Sequence, residues 1–168
     1  TLLASSAASD VYKRQDIIDV LNNIGNNYSI STDGLATALK DSASALVTAN
    51  NDLNEAVSLT TAGNAITQDP SKVGAGLRTI SLRLVGTEEA KQELSDLGEE
   101  TDGMITTVSK LRDTIMDATK AASSDGKGFD ILDSNGNYKS TYEIMQGLAD
   151  LYDNIVKKDK ELGTNNLN

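Results

Sequence analysis

The chain has no cysteine, no histidine and no tryptophan, and only one proline and one phenylalanine. Without cysteine it can form no disulfide, hold no metal through thiolates and run no thiol redox chemistry. Without histidine it lacks the commonest general base near neutral pH and the commonest metal ligand. Aromatic residues supply only 4% of 168 residues, so a core has to be built from Leu, Ile, Val and Ala, and a thin or divided core is expected. Long apolar runs are also missing, which leaves no segment able to cross a bilayer as a helix. Positive charge is in deficit, with 15 Lys and Arg against 25 Asp and Glu, a formal charge of −10. That balance argues against specific nucleic-acid binding, whose affinity comes largely from basic side chains displacing counterions, and against an anionic membrane surface. The opening Thr1-Leu2-Leu3-Ala4 lacks the basic start and apolar run of a signal peptide. With no initiator Met and no closing element after Gly163, both ends are expected to be cuts in a longer protein.

What the chain does contain is helical periodicity. Residues 1–15, Ser- and Ala-rich and then Asp10-Val-Tyr-Lys-Arg-Gln15, have no apolar period and read as an unstructured linker or an artefact of sequence assembly. Ile17, Leu21, Ile24 and Tyr28 recur at helical spacing and predict a helix over 16–28. Ser31-Thr32-Asp33 offers side-chain oxygens to the free N–H groups of a second helix, whose stripe is Leu35, Leu39, Ala43 and Leu46. Asn50-Asn51-Asp52 breaks that helix and caps a third, carrying Leu53 and Val57 and, more loosely, Ala62 and Ile66. Asp69-Pro70 opens a fourth, because the missing N–H of proline costs nothing in a first turn. Val73, Leu77, Ile80 and Leu84 form its stripe, the cleanest in the chain, and are the expected helix-packing or interaction face.

Gly74 and Gly76 lower helix propensity there, and close approach of a neighbouring helix is the expected reason, since no Gly-Lys-Ser/Thr follows to make a phosphate loop. Thr87-Glu88-Glu89 starts a short helix that ends at Leu97-Gly98, and a further helix is expected over 104–120 with Met104, Val108, Leu111 and Ile115 aligned. Asn135-Gly136 is a strong tight-turn pair and predicts a small β-hairpin over residues 129–139. Ser140-Thr141 caps a last helix with Ile144, Leu148, Leu151, Ile155 and Leu162 on one face. The expected fold class is therefore mainly α, a multi-helix amphipathic bundle with one small β-hairpin, over residues 16–160 and followed by a truncated tail at 161–168.

Carboxylates are abundant, but their arrangement is not that of a catalyst. Glu88, Glu89, Glu93 and Asp96 have helical spacing and read as a solvated face with favourable charge near a helix start. A glycoside-hydrolysing pair needs a cleft and two unlike environments. Asp130, Asp133, Asn135 and Asn137 crowd oxygens around Gly136, yet alignment with a calcium loop puts Ile131 and Tyr142 at its first and twelfth positions, where ligands are required. Arg78 and Arg83, with Lys72 nearby, are expected to pair with the acidic patch Glu99-Glu100-Thr-Asp102 or to face another subunit. No catalytic residue, cofactor or metal site is expected.

Three stretches carry a family resemblance. They are Gly34-Leu-Ala-Thr-Ala-Leu-Lys-Asp-Ser-Ala-Ser-Ala-Leu46 with Leu53-Asn-Glu-Ala56, then Val73-Gly-Ala-Gly-Leu-Arg-Thr-Ile-Ser-Leu-Arg-Leu84, then Asp133-Ser-Asn-Gly-Asn-Tyr-Lys-Ser-Thr-Tyr-Glu-Ile-Met145 with Leu148-Ala149. In this order they resemble the conserved region of phage tail tape measure proteins. The resemblance implies a chain from a phage or prophage that occupies the tail lumen of the virion and leaves ahead of the DNA. It would set tail length as a ruler, a helix rising about 1.5 Å per residue. Its partners would be tail tube and tail assembly chaperone proteins in the host cytoplasm, with self-association through the Val73–Leu84 stripe where its usual partners are missing. Membrane contact would come only through other parts of the full chain. The alternative is a subunit or fragment of another helical assembly or of a secretion-associated filament.

Overall fold

The computed structural model describes residues 30–162 and the single positions 19, 22, 23 and 28. Apart from those positions, the helix expected over 16–28 lies outside the described residues, as do residues 1–15 and the tail from 163. The described residues form six helices, α1 (Thr32–Thr48), α2 (Leu53–Thr67), α3 (Pro70–Val85), α4 (Glu88–Asp96), α5 (Val108–Thr119) and α6 (Thr141–Leu162).

Local chemistry sets most of their ends. The hydroxyl of Ser31 accepts from the Gly34 N–H at 3.0 Å, and the Asp69 carboxylate from the Lys72 N–H at 3.1 Å. Asp52 and Glu55 form a reciprocal capping box at the start of α2, with bonds of 2.8 and 3.0 Å. Ser140 and Glu143 make the same exchange at the start of α6, at 3.1 and 2.8 Å. Helix α1 stops where Asn50 turns left-handed, φ 60°, and the Asn51 N–H folds back to the Leu46 carbonyl at 2.9 Å. Gly98, φ 78°, ends α4 in the same way, with the Glu99 N–H bonded to the Leu94 carbonyl at 3.0 Å.

The chain divides into two compact units, Thr1–Ala43 with Asp52–Arg78, and Ser44–Asn51 with Thr79–Asn168. Helices α1 and α3 contribute residues to both. In the first unit, Ile30, Leu35 and Val57 form the buried core, with Leu39 packed against it. Small residues let its helices close in. A Cβ at Gly74 would stand 2.6 Å from the Ala38 carbonyl oxygen, and one at Gly63 would meet Val73 at 3.0 Å. Its buried hydroxyls are satisfied within their own helices, Ser42 donating to the Ala38 carbonyl and Thr60 to that of Ala56, both at 2.8 Å.

Among the described residues, the second unit shows two apolar clusters. Ala45, Leu82, Ala90 and Leu94 form one, joined by Val85 and Met104. Leu111, Ile131 and Ile144 form the other, ringed by Leu84, Ile105, Ile115, Phe129, Leu132, Tyr138 and Leu148. Leu94, Ile131 and Ile144 are fully buried, each contributing about 1.5–3 kcal/mol by leaving water.

Two expectations are corrected here. The helix over 104–120 begins only at Val108, because Met104 and Ile105 are drawn to the two different clusters of the unit. The β-hairpin over 129–139 is absent: among the described residues there is no strand, only an isolated antiparallel bridge between Leu132 and Tyr138. The turn itself forms, with the Asp133 N–H bonded to the Asn137 carbonyl at 2.8 Å and the Lys139 N–H to the Ile131 carbonyl at 2.9 Å. Pairing cannot extend further. The chain turns into the last helix at Thr141, two residues past Lys139, with Ser140 and Glu143 already exchanging cap bonds.

Candidate interaction site

The segment 129–140 is an irregular stretch of the second unit tied to α5 and to the turn after α1. Arg112 on α5 grips the Asp130 carboxylate through both its Nε, at 2.7 Å, and its Nη2. The Lys139 ammonium donates to the Asp130 carbonyl at 2.7 Å and lies 4.6 Å from the centre of the Phe129 ring. From the turn after α1, the Asn50 amide donates to the Tyr138 carbonyl at 3.1 Å, and the Asn51 side-chain oxygen accepts the Tyr142 N–H at 3.0 Å. The Thr141 hydroxyl meets that of Ser81 at 3.2 Å. The effect is a fixed loop presenting an exposed polar tip, Asp133 to Asn137, with Gly136 at φ 82°. Asn135 and Gly136 therefore sit in the turn at that tip.

The electrostatics of the segment are those of held anions. Hydrogen bonding by Arg112 brings the Asp130 carboxyl down to about 2. Asp133 is lowered by the Asn137 N–H, and Asp125 by the Lys127 N–H and the Ser123 hydroxyl. A carboxyl acting as a general acid has to be pushed the other way. Burial alone raises Tyr138. Among the described residues no three Asp or Glu gather as a metal site would need.

Beside the loop lies a cavity of about 200 Å³, walled by Ala49, Leu84, Val85, Val108, Tyr138 and Ile144. The hydroxyl of Tyr138 is buried and has no hydrogen-bond partner in the protein.

Of the expected α3 stripe, Val73 and Leu77 are buried, Leu84 packs against the Leu111–Ile144 cluster, and Ile80 stays 39% exposed. Of the two glycines, Gly74 is the tight one, while Gly76 has nothing within 4 Å. Arg83 does reach the acidic patch, donating to the backbone carbonyl of Glu100 rather than to a carboxylate. The Nε of Arg78 is buried without a hydrogen-bond partner. Sequence reasoning missed the Arg112–Asp130 pair, the Lys139–Phe129 contact and the cavity. No spacing rule joins residues 18 apart that belong to a helix and a loop.

A family profile described as "Phage-related minor tail protein" matches residues 4–165. No solved structure matches the chain. The match corrects the tape measure resemblance and, with it, tail-length determination and release ahead of the DNA. The helices agree with the correction. The longest, α6, has 22 residues, about 33 Å at the helical rise, and no long ruler-like helix runs through the described residues. Amphipathic Ala- and Ser-rich helices and an Asn-Gly turn are features that many helical assemblies share.

Proposed function

This chain belongs to the phage-related minor tail protein family, and from that premise we propose that it works by packing against tail tube proteins, with tail assembly chaperones as its partners before incorporation. It is a structural component of the virion tail, assembled in the host cytoplasm, and not an enzyme. The observation that carries the reading is a family match running along almost the whole chain. The surface chemistry supports it. The exposed polar tip at Asp133–Asn137 and the 39% exposed Ile80 support it as surface open to a neighbouring protein, and a charge of −10 suits contact with protein rather than with phosphate backbones. The Val73, Leu77, Ile80 and Leu84 stripe acts on this reading as a helix-packing face, with Ile80 as the part left to meet a neighbour.

The test is to tag the chain in its phage and purify intact tails. Mass spectrometry should find it in the particles, and crosslinking should join it to a tail tube protein, with Ile80→Asp weakening that link. Its absence from purified tails would end the proposal. Recovery in tail-like particles that lack capsid and DNA would favour the alternative of a related helical assembly.

A further inference from the structure

We propose that Asn135 is a modification site in the folded chain, where the side-chain amide is lost to attack by the Gly136 backbone nitrogen at a rate that the Asp133 carboxylate sets. Asparagine is one of the chemically labile residues, and its fate depends on the nitrogen that follows it. Asn135-Gly136 is the only Asn-Gly pair in the sequence. It stands at the exposed tip, and a Cβ at Gly136 would meet nothing within 4 Å, so no side chain crowds the approach. Other asparagines are held. The Asn50 amide donates to the Tyr138 carbonyl, that of Asn51 to the Leu46 and Ala49 carbonyls, and that of Asn137 to the Asp133 carboxylate. Asn54 precedes the Glu55 N–H that Asp52 accepts, and Asn154 lies inside α6. The Asn135 amide is bonded to nothing among the described residues.

The step needs water and no redox partner. The Gly136 nitrogen gives its proton to hydroxide and attacks the side-chain carbonyl carbon of Asn135. A C–N bond forms, the C–NH2 bond breaks, and ammonia leaves with a proton from water. Water then opens the five-membered imide, giving aspartate at the side-chain carbonyl or isoaspartate at the main-chain carbonyl. One water is taken up and one ammonia released. The turn works against this. The Gly136 N–H donates to the Asp133 carbonyl at 3.1 Å, and the Asp133 carboxylate accepts the N–H groups of Asn135 and Asn137, both at 2.8 Å. These bonds bracket the reacting pair and commit the attacking nitrogen to the turn, so it is free only when the turn opens. Isoaspartate adds one carbon to the main chain between those two N–H groups and removes the spacing that lets Asp133 accept both.

The test is incubation of the 168-residue chain at neutral and at mildly alkaline pH. Intact mass is followed, with peptide fragmentation that tells aspartate from isoaspartate. The chain should gain the mass of one amide-to-acid exchange, at Asn135, faster at the higher pH and with isoaspartate among the products. Asn135→Gln, whose longer side chain would have to close a larger ring, should stop the gain. Asp133→Ala should speed the reaction at least about fivefold, the factor that one lost hydrogen bond gives. Should that variant not fold, unfolding the parent chain in urea should bring the same acceleration. A first gain at another asparagine, a rate unchanged in folded Asp133→Ala, or no exchange over a span in which the urea-unfolded chain reacts completely would each overturn the proposal.

Discussion

Gly74 and Gly76 stand two residues apart on α3 in unlike surroundings. A Cβ at 74 would lie 2.6 Å from the Ala38 carbonyl oxygen and 3.0 Å from the Ala38 Cα, which are backbone atoms that cannot swing aside. Gly74→Ala should therefore force α1 and α3 apart and cost about 1–3 kcal/mol despite its better helix propensity. Gly76→Ala meets nothing within 4 Å and should gain roughly 0.5–1 kcal/mol. Urea melts of the two variants check this, and equal effects would remove the close approach. Asp130 makes a second prediction at this scale. Its folded pKa of about 2 lies below the ordinary 3.8, so its stabilising share is complete above the ordinary value and is lost as pH falls through the folded one. Between about pH 4 and pH 2, the parent should lose more thermal stability than Asp130→Asn. Parallel melting curves would count against the Arg112 grip.

Helix starts are decided by residues within three or four positions of one another. That is why Asp52, Asp69, Thr87 and Ser140 could be read in the sequence as starts of α2, α3, α4 and α6. Asp52→Ala removes the carboxylate that accepts the Glu55 N–H at 2.8 Å, and should cost about 1 kcal/mol in a urea melt, with Asp52→Asn costing less. The 129–139 segment was legible only in part. Its Asn-Gly turn is local chemistry and forms; strands on either side need chain to run on, and α6 begins at Thr141, two residues after the bond that Lys139 makes to Ile131. Packing of the last helix is likewise a tertiary matter. Ile144 is fully buried against Leu111 and Ile131, and Ile144→Ala should cost about 2–5 kcal/mol by leaving a cavity.

With so few aromatic residues, the buried apolar side chains among the described residues gather in separate small clusters, such as those around Leu35, Leu82 and Ile144. No single large ring system fills the space between helices, so small residues such as Gly63 and Gly74 set the distances instead. The charge of −10 acts on the folded chain as self-repulsion that salt screens. Thermal unfolding should therefore move upward as ionic strength rises from about 10 to about 150 mM. A downward move would mean that ion pairs such as Arg112–Asp130 outweigh the repulsion.

The amino-acid order by itself determined the six described helices, apart from the start of α5, with most of their caps, and the absence of thiol and imidazole chemistry. Each of these depends on composition or on residues a turn apart. Tertiary structure alone decided which glycine is tight, that the turn at Asn135–Gly136 carries no strands, and that a cavity opens beside Tyr138. Those features depend on meetings between residues far apart in the chain, Ala38 with Gly74, Arg112 with Asp130, Thr141 with Ser81 and Asn50 with Tyr138. No periodicity specifies such meetings, because they follow from how finished helices pack and from which donors and acceptors that packing leaves within reach.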